Sequence, residues 1–107
     1  MNSVKLLYVT CETLQQARTI ARTLVEEKLA ACINILPQME SIYLWQGKIE
    51  TSNEVVLIIK TSDSLTSKCS ARIKELHSYK VPCILKLGIE AGNTEYLTWI
   101  KGQTLPD

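Results

Sequence analysis

Apolar residues follow two alternating rhythms along this chain. From Val4 to Cys11 (VKLLYVTC) they occupy both parities, Leu6 and Tyr8 to one side and Leu7 and Val9 to the other, which reads as a strand with apolar groups on both faces. Between Leu14 and Leu29 the spacing becomes helical. Leu14, Ala17, Ala21, Leu24, Val25 and Leu29 form a stripe, while Gln15, Gln16, Arg18, Arg22, Glu26 and Glu27 are polar. Thr13 is placed to cap that helix. Ala31 to Leu36 is a second strand, interrupted at Pro37, whose missing N–H suits an edge or a bulge. The strand resumes at Glu40 and runs to a hairpin tip. Ile49 begins the return, and Asn53 to Lys60 (NEVVLIIK) is a continuous apolar strand. Ser62 to His77 reads as a second helix, with Leu65, Cys69, Ile73 and Leu76 inward and Ser62, Asp63 or Ser64 as cap. Pro82 to Glu90 is a fourth strand. Gly92-Asn93 ends it, and Asn93 can cap a short helix carrying Tyr96, Leu97 and Ile100 before the tail from Lys101 to Asp107.

The order is β-α-β-β-α-β plus a terminal helix, the ferredoxin-like α+β arrangement, in which two helices cover one face of a four-stranded antiparallel sheet. The uncovered face of a monomer should be polar. Here Leu6 to Val9 and Val55 to Ile59 leave apolar side chains on both faces. Burying one large aliphatic side chain is worth about 1.5–3 kcal/mol, so the pattern predicts association through the open face. The long hairpin arm can pair with a neighbour's sheet edge and protect it.

The arm itself has two unlike faces. Gln46-Gly47 fits the centre of a tight turn, because Gly47 tolerates positive φ. That register pairs Trp45 with Lys48 and Tyr43 with Glu50. Alternation then puts Tyr43, Trp45, Lys48 and Glu50 on one face and Ile42, Leu44 and Ile49 on the other. Two rings, an ammonium and a carboxylate together suggest a surface that meets a ligand, a second subunit or both.

Composition narrows the classes. At 107 residues the chain is one domain, residues 1–107, with 46% apolar residues and no Phe. A formal net charge of +1 supplies no field for nucleic acid. The strand Asn53 to Lys60 lacks the aromatic rings on which an RNA-recognition sheet stacks bases. No apolar run approaches the roughly 20 residues of a membrane span. The N-terminal residues lead directly into strand without an apolar leader, so the expected location is the cytoplasm and the four cysteines are expected to be reduced. None of them forms C-x-x-C. One histidine, with no H-E-x-x-H, G-x-S-x-G or phosphate loop, argues against an enzyme. The residual enzymatic reading is a nucleophile–base pair of Cys11 or Cys83 with His77.

Five blocks carry a family resemblance. They are Leu29 to Leu36 (LAACINIL), Ser41 to Glu50 (SIYLWQGKIE), Glu54 to Thr61 (EVVLIIKT), Leu76-His77-x-Tyr79-x-Val81-Pro82, and Gly92-Asn93-x-x-Tyr96-Leu97-x-Trp99-Ile100. Their order and spacing, from Val4 to Lys101, resemble the CutA family of divalent-cation tolerance proteins. The resemblance implies a homotrimer of ferredoxin-like subunits akin to PII signalling proteins, and a part in divalent metal tolerance with copper the metal usually named. It also implies copper ligands at the end of the first strand, where Cys11 stands, and at the end of the second helix, where His77 stands. The family favours proline at Ser78, often an acidic residue at Lys80, and an acidic residue at Cys83. One loop thus loses a carboxylate and gains a thiol.

Two functional readings follow. In the first, Cys11, His77 and Cys83 bind copper or another divalent cation, since thiolate and imidazole suit copper. The plainer alternatives are a buried small hydrophobe at Cys11 and a helix C-terminal residue at His77; Cys32 and Cys69 sit in apolar settings and read as core. In the second, Tyr43, Trp45, Lys48, Glu50, Lys60, Tyr79 and Trp99 line an inter-subunit cleft for a small anionic or amphiphilic ligand, as in a PII-like sensor. Its plainer alternative makes Tyr43 and Trp45 interface anchors.

Overall fold

A computed structural model describes residues 2–106. Strands β1 (Val4–Cys11), β2 (Cys32–Trp45), β3 (Lys48–Ser62) and β4 (Ile84–Gly88) form one antiparallel sheet in the order β2-β3-β1-β4. Helices α1 (Leu14–Glu26), α2 (Thr66–Leu76) and α3 (Thr94–Gly102) complete the chain. This is the ferredoxin-like α+β architecture with an added C-terminal helix and a long β2–β3 hairpin.

Register sorts the side chains. Leu7, Val9 and Cys11 stand opposite Ile59, Leu57 and Val55. They are buried against Ala17, Ile20 and Leu24 of α1 and Cys69 and Ile73 of α2. The other parity, including Leu6, Tyr8, Ile58 and Leu85, faces away from these two helices. Leu36, Leu85 and Leu87 remain exposed there. Helix α3 packs against β1 and β3, at the end of the sheet remote from the hairpin. Its following turn is tied in by Ser62 and Thr104, whose hydroxyls lie 3.1 Å apart.

Several boundaries differ from the sequence reading. Helix α1 stops at Glu26 rather than Leu29, because Lys28 adopts φ +60° and turns the chain back. The Leu29 and Ala30 amides then bond to the Leu24 carbonyl, closing the helix end. Leu29 is buried by this reversal rather than by the helix. Ile20 occupies the core, whereas Val25 is 42% exposed. Strand β3 continues to Ser62, so α2 is preceded by a 3₁₀ turn, Asp63–Leu65, and begins at Thr66. The Ser62 hydroxyl meets Thr104 rather than capping a helix. Strand β4 covers only Ile84–Gly88: past Gly88, β1 has only its first residue, Val4, left to pair, and at the other end Pro82 has no N–H for the ladder. Thr13 and Asn93 do cap α1 and α3, accepting from the amides of Gln16 and Tyr96. Pro37 lies in a register shift between Leu36 and Met39, a bulge that β2 passes through without ending.

Beyond that bulge β2 and β3 continue alone as the arm. The principal extents of 44 × 26 × 21 Å express its projection from the body.

Candidate functional site

The arm's tip is a two-residue turn with φ +50° at Gln46 and +81° at Gly47. Positive φ at both central positions is the turn whose twist matches a hairpin. It fixes the predicted pairs, Tyr43 with Glu50 and Trp45 with Lys48. Toward the body the same face carries Glu54, opposite Met39. Met39 sulfur in turn accepts from Tyr8 Oη at 3.5 Å. The aromatic face of the arm is therefore continuous with the open face of the sheet.

The loop after α2 closes the other side. His77 holds it: Nδ1 accepts the Tyr79 amide at 3.0 Å, which leaves the ring proton on Nε2 to bond the Thr10 carbonyl at 2.7 Å. Ser78 Oγ donates to Gln16 Oε1 at 3.1 Å. Tyr79 Oη donates to Glu54 Oε2 at 2.9 Å, and Ser41 Oγ donates to Glu54 Oε1 at 2.7 Å. Helix end, β1 end and arm root are thus fastened by one chain of hydrogen bonds.

Between arm and loop lies a cleft of about 790 Å³. The arm contributes Tyr43, Trp45, Glu50 and Glu54, β1 contributes Thr10, and the loop contributes residues 78–81 and Cys83. Five of the residues singled out from the sequence meet here: Tyr43, Trp45, Glu50, Tyr79 and Cys83. Burial, then its bond to Glu54, raises the Tyr79 phenol well above its usual range, so it stays protonated as a donor.

Cys11 and His77 are placed differently. Cys11 is fully buried on the helix side. Burial first, and then the Glu54 charge, push its thiol up to about 11. A thiol must lose its proton to act as a nucleophile, and this environment opposes that loss. Both nitrogens of His77 are committed to backbone groups. Among the described residues no group of three or more His, Cys, Asp and Glu is arranged to hold a metal ion. The residues of one chain accordingly do not fit a metal centre built on Cys11, His77 and Cys83. The same hydrogen bonds leave His77 no free nitrogen to serve as base to either thiol.

Three further residues expected in an inter-subunit cleft lie outside the part of it that one chain lines. Lys60 is ten residues along β3 from Glu50, about 33 Å of strand. Its ammonium donates to Tyr96 Oη at 3.1 Å. Trp99 stacks on Tyr96, ring centroids 5.6 Å apart, and so belongs to that remote cluster. Lys48 shares the arm face but sits beside the turn, beyond the cleft lining. Sequence reasoning named neither Thr10 nor Glu54 as lining residues, and of the loop 77–83, which it set against the cleft, it singled out only Tyr79 as lining it. Glu54 carried a usable signal, having the same strand parity as Glu50; the loop's signal was its departure from the family pattern at Ser78, Lys80 and Cys83. No helix among the described residues is long and apolar enough to cross a membrane.

A sequence profile described as CutA1 divalent ion tolerance protein matches residues 5–103. The divalent-cation tolerance protein CutA of Thermus thermophilus is 47% identical over 104 residues, 97% of this chain and 99% of that one. The human protein CutA is 43% identical over 95% of this chain, which spans 57% of the human protein's length. The crystal structure of CutA1 from Oryza sativa superposes with a TM-score of 0.95 at 40% identity, covering 98% of this chain and 96% of the other.

Proposed function

Because this chain belongs to the CutA1 family of divalent ion tolerance proteins, we propose that it serves divalent-cation tolerance as a homotrimeric, non-enzymatic binding protein whose working site is the cleft at the root of the arm. The observation that carries this reading is the convergence of Tyr43, Trp45 and Glu50 with Tyr79 and Cys83 around one large concavity. Aromatic walls with a few placed polar groups are the usual make-up of a small-ligand site. Association is supported by the arm's second face, where Ile42, Leu44 and Ile49 are 67%, 72% and 75% exposed. On this reading the protein behaves as a PII-like sensor, binding a small molecule where subunits adjoin. Its four free cysteines are compatible with a cytoplasmic setting.

Direct copper binding is the second reading. Cys83 favours it, as a half-buried thiol that reaches the cleft in the loop where the family resemblance implies a carboxylate. The burial of Cys11 and the committed nitrogens of His77 weigh against those two as ligands.

Calorimetry with copper, zinc and a nucleotide on wild type, Cys11→Ser, His77→Ala, Cys83→Ser and Trp45→Ala separates the two. The cleft reading expects a ligand whose affinity falls in Trp45→Ala and is unchanged in Cys11→Ser. Copper binding lost in both Cys11→Ser and His77→Ala would instead establish the Cys/His centre. A monomer in sedimentation equilibrium would remove the trimer.

A further inference from the structure

Resting on the cleft reading above, we infer that the ligand is an organic cation, an amine or quaternary ammonium, rather than a small anion. The charges that this chain brings to the cleft are Glu50, Glu54 and Lys80. Lys60 is turned to Tyr96 instead, and Lys48, paired with Trp45 beside the turn, is not part of this lining. Glu50 enters none of the ion pairs among the described residues.

Glu54 is held in place by its two donors, Ser41 and Tyr79, one on each oxygen. Each carboxylate oxygen has two acceptor sites, so the group keeps capacity toward the cleft. Tyr79 is fixed as a neutral donor to Glu54, and it adds no negative charge of its own. Three rings, Tyr43, Trp45 and Tyr79, complete the walls, with Trp45 59% and Tyr43 42% exposed. An aromatic face attracts a cation through its quadrupole, Trp most strongly.

A bare metal ion makes poor use of these rings and finds no group of three ligating side chains among the described residues. An alkylammonium uses both features, its methylene or methyl groups on the rings and its charge toward Glu50 and Glu54. The cleft volume of about 790 Å³ accommodates such a molecule with room for a substituent.

The test follows the indole N–H resonance of Trp45 by NMR, assigned with the help of a Trp99→Phe variant. Full-length protein is titrated with choline, with its neutral isostere 3,3-dimethylbutan-1-ol, and with AMP as the anionic probe. Choline is expected to move the Trp45 resonance with an affinity about tenfold above the isostere, and Glu50→Gln to lose about fivefold of it. Glu50 is exposed, so this variant should keep the wild-type fold, which a circular dichroism spectrum checks. If the isostere binds within twofold of choline, if Glu50→Gln changes nothing, or if AMP alone shifts Trp45, the cation inference falls while the cleft reading stands. If none of the three probes moves Trp45 and neither metals nor a nucleotide bind in calorimetry, both fall.

Discussion

One strand passes through two environments. In the second half of β3, Leu57 and Ile59 are fully buried beneath α1 and α2. In its first half, Ile49 is 75% exposed, and Leu44 opposite it on β2 is 72% exposed. The residue types are alike and the hydrogen-bonded ladder is continuous, yet only one half has anything packed on it. A hydrophobic strand is therefore stabilised by what covers it rather than by its own pairing. The arm holds its shape as a hairpin while presenting apolar surface for something else to bury.

The largest expected effect tests that contrast directly. Leu57→Ala should lower folding stability by about 2–5 kcal/mol, the cost of removing a fully packed side chain and leaving a cavity. The arm variant Leu44→Ser with Ile49→Ser should leave the secondary structure intact. It should shift sedimentation equilibrium toward the monomer and abolish the rise of the unfolding midpoint with protein concentration. Equal loss of secondary structure in both variants would mean that the arm is part of the folding core and that the contrast is false.

A middle-sized effect belongs to the hinge between body and cleft. His77→Ala removes the side chain that ties the loop to the β1 end, leaving the Tyr79 amide and the Thr10 carbonyl without their partner. A fully buried group so orphaned costs about 1–3 kcal/mol, and these part-buried ones fall toward the low end of that range. Faster hydrogen exchange should appear at the Tyr79 amide and spread along the loop, with the Leu57 and Ile59 amides unchanged. Uniform acceleration across the sheet would show that His77 supports the body rather than the cleft wall.

The body was largely legible in the sequence because its signals are local. Alternating and helical spacings located all four strands and all three helices, and Thr13, Asn93 and the Gln46-Gly47 turn acted through short-range hydrogen bonds and backbone sterics. The arm's face was equally readable, since strand parity alone joins Tyr43 to Glu50. The cleft was only half legible. Its opposite wall comes from the loop after α2, and nothing in the spacing of residues 77–83 shows that Tyr79 will reach Glu54 across the sheet end. His77 came forward as a ligand through the family resemblance, and the spacing gave no sign that both its nitrogens would bond backbone groups.

The smallest effect distinguishes two cysteines on either side of that wall. Cys11 is buried on the helix face beside Thr10, which lines the cleft, and Cys83 reaches the cleft itself. In the unfolded chain the Cys11 thiol would ionise at its ordinary 9.0, but in the fold only at about 11. Between those values the native state binds more protons than the unfolded state, so stability falls as pH rises through that window. The slope for one thiol is at most about 1.4 kcal/mol per pH unit. Cys69, pushed up to about 12 by burial, adds a similar slope of its own. Urea midpoints of wild type and Cys11→Ala between pH 8 and 10.5 should diverge in slope, the variant being flatter by the contribution of one thiol, and should run parallel below pH 8. Iodoacetamide at pH 8 should modify Cys83 in the folded protein and spare Cys11 until it unfolds. Rapid alkylation of Cys11 in the native state would show that the wall between core and cleft opens, and would return Cys11 to consideration as a ligand.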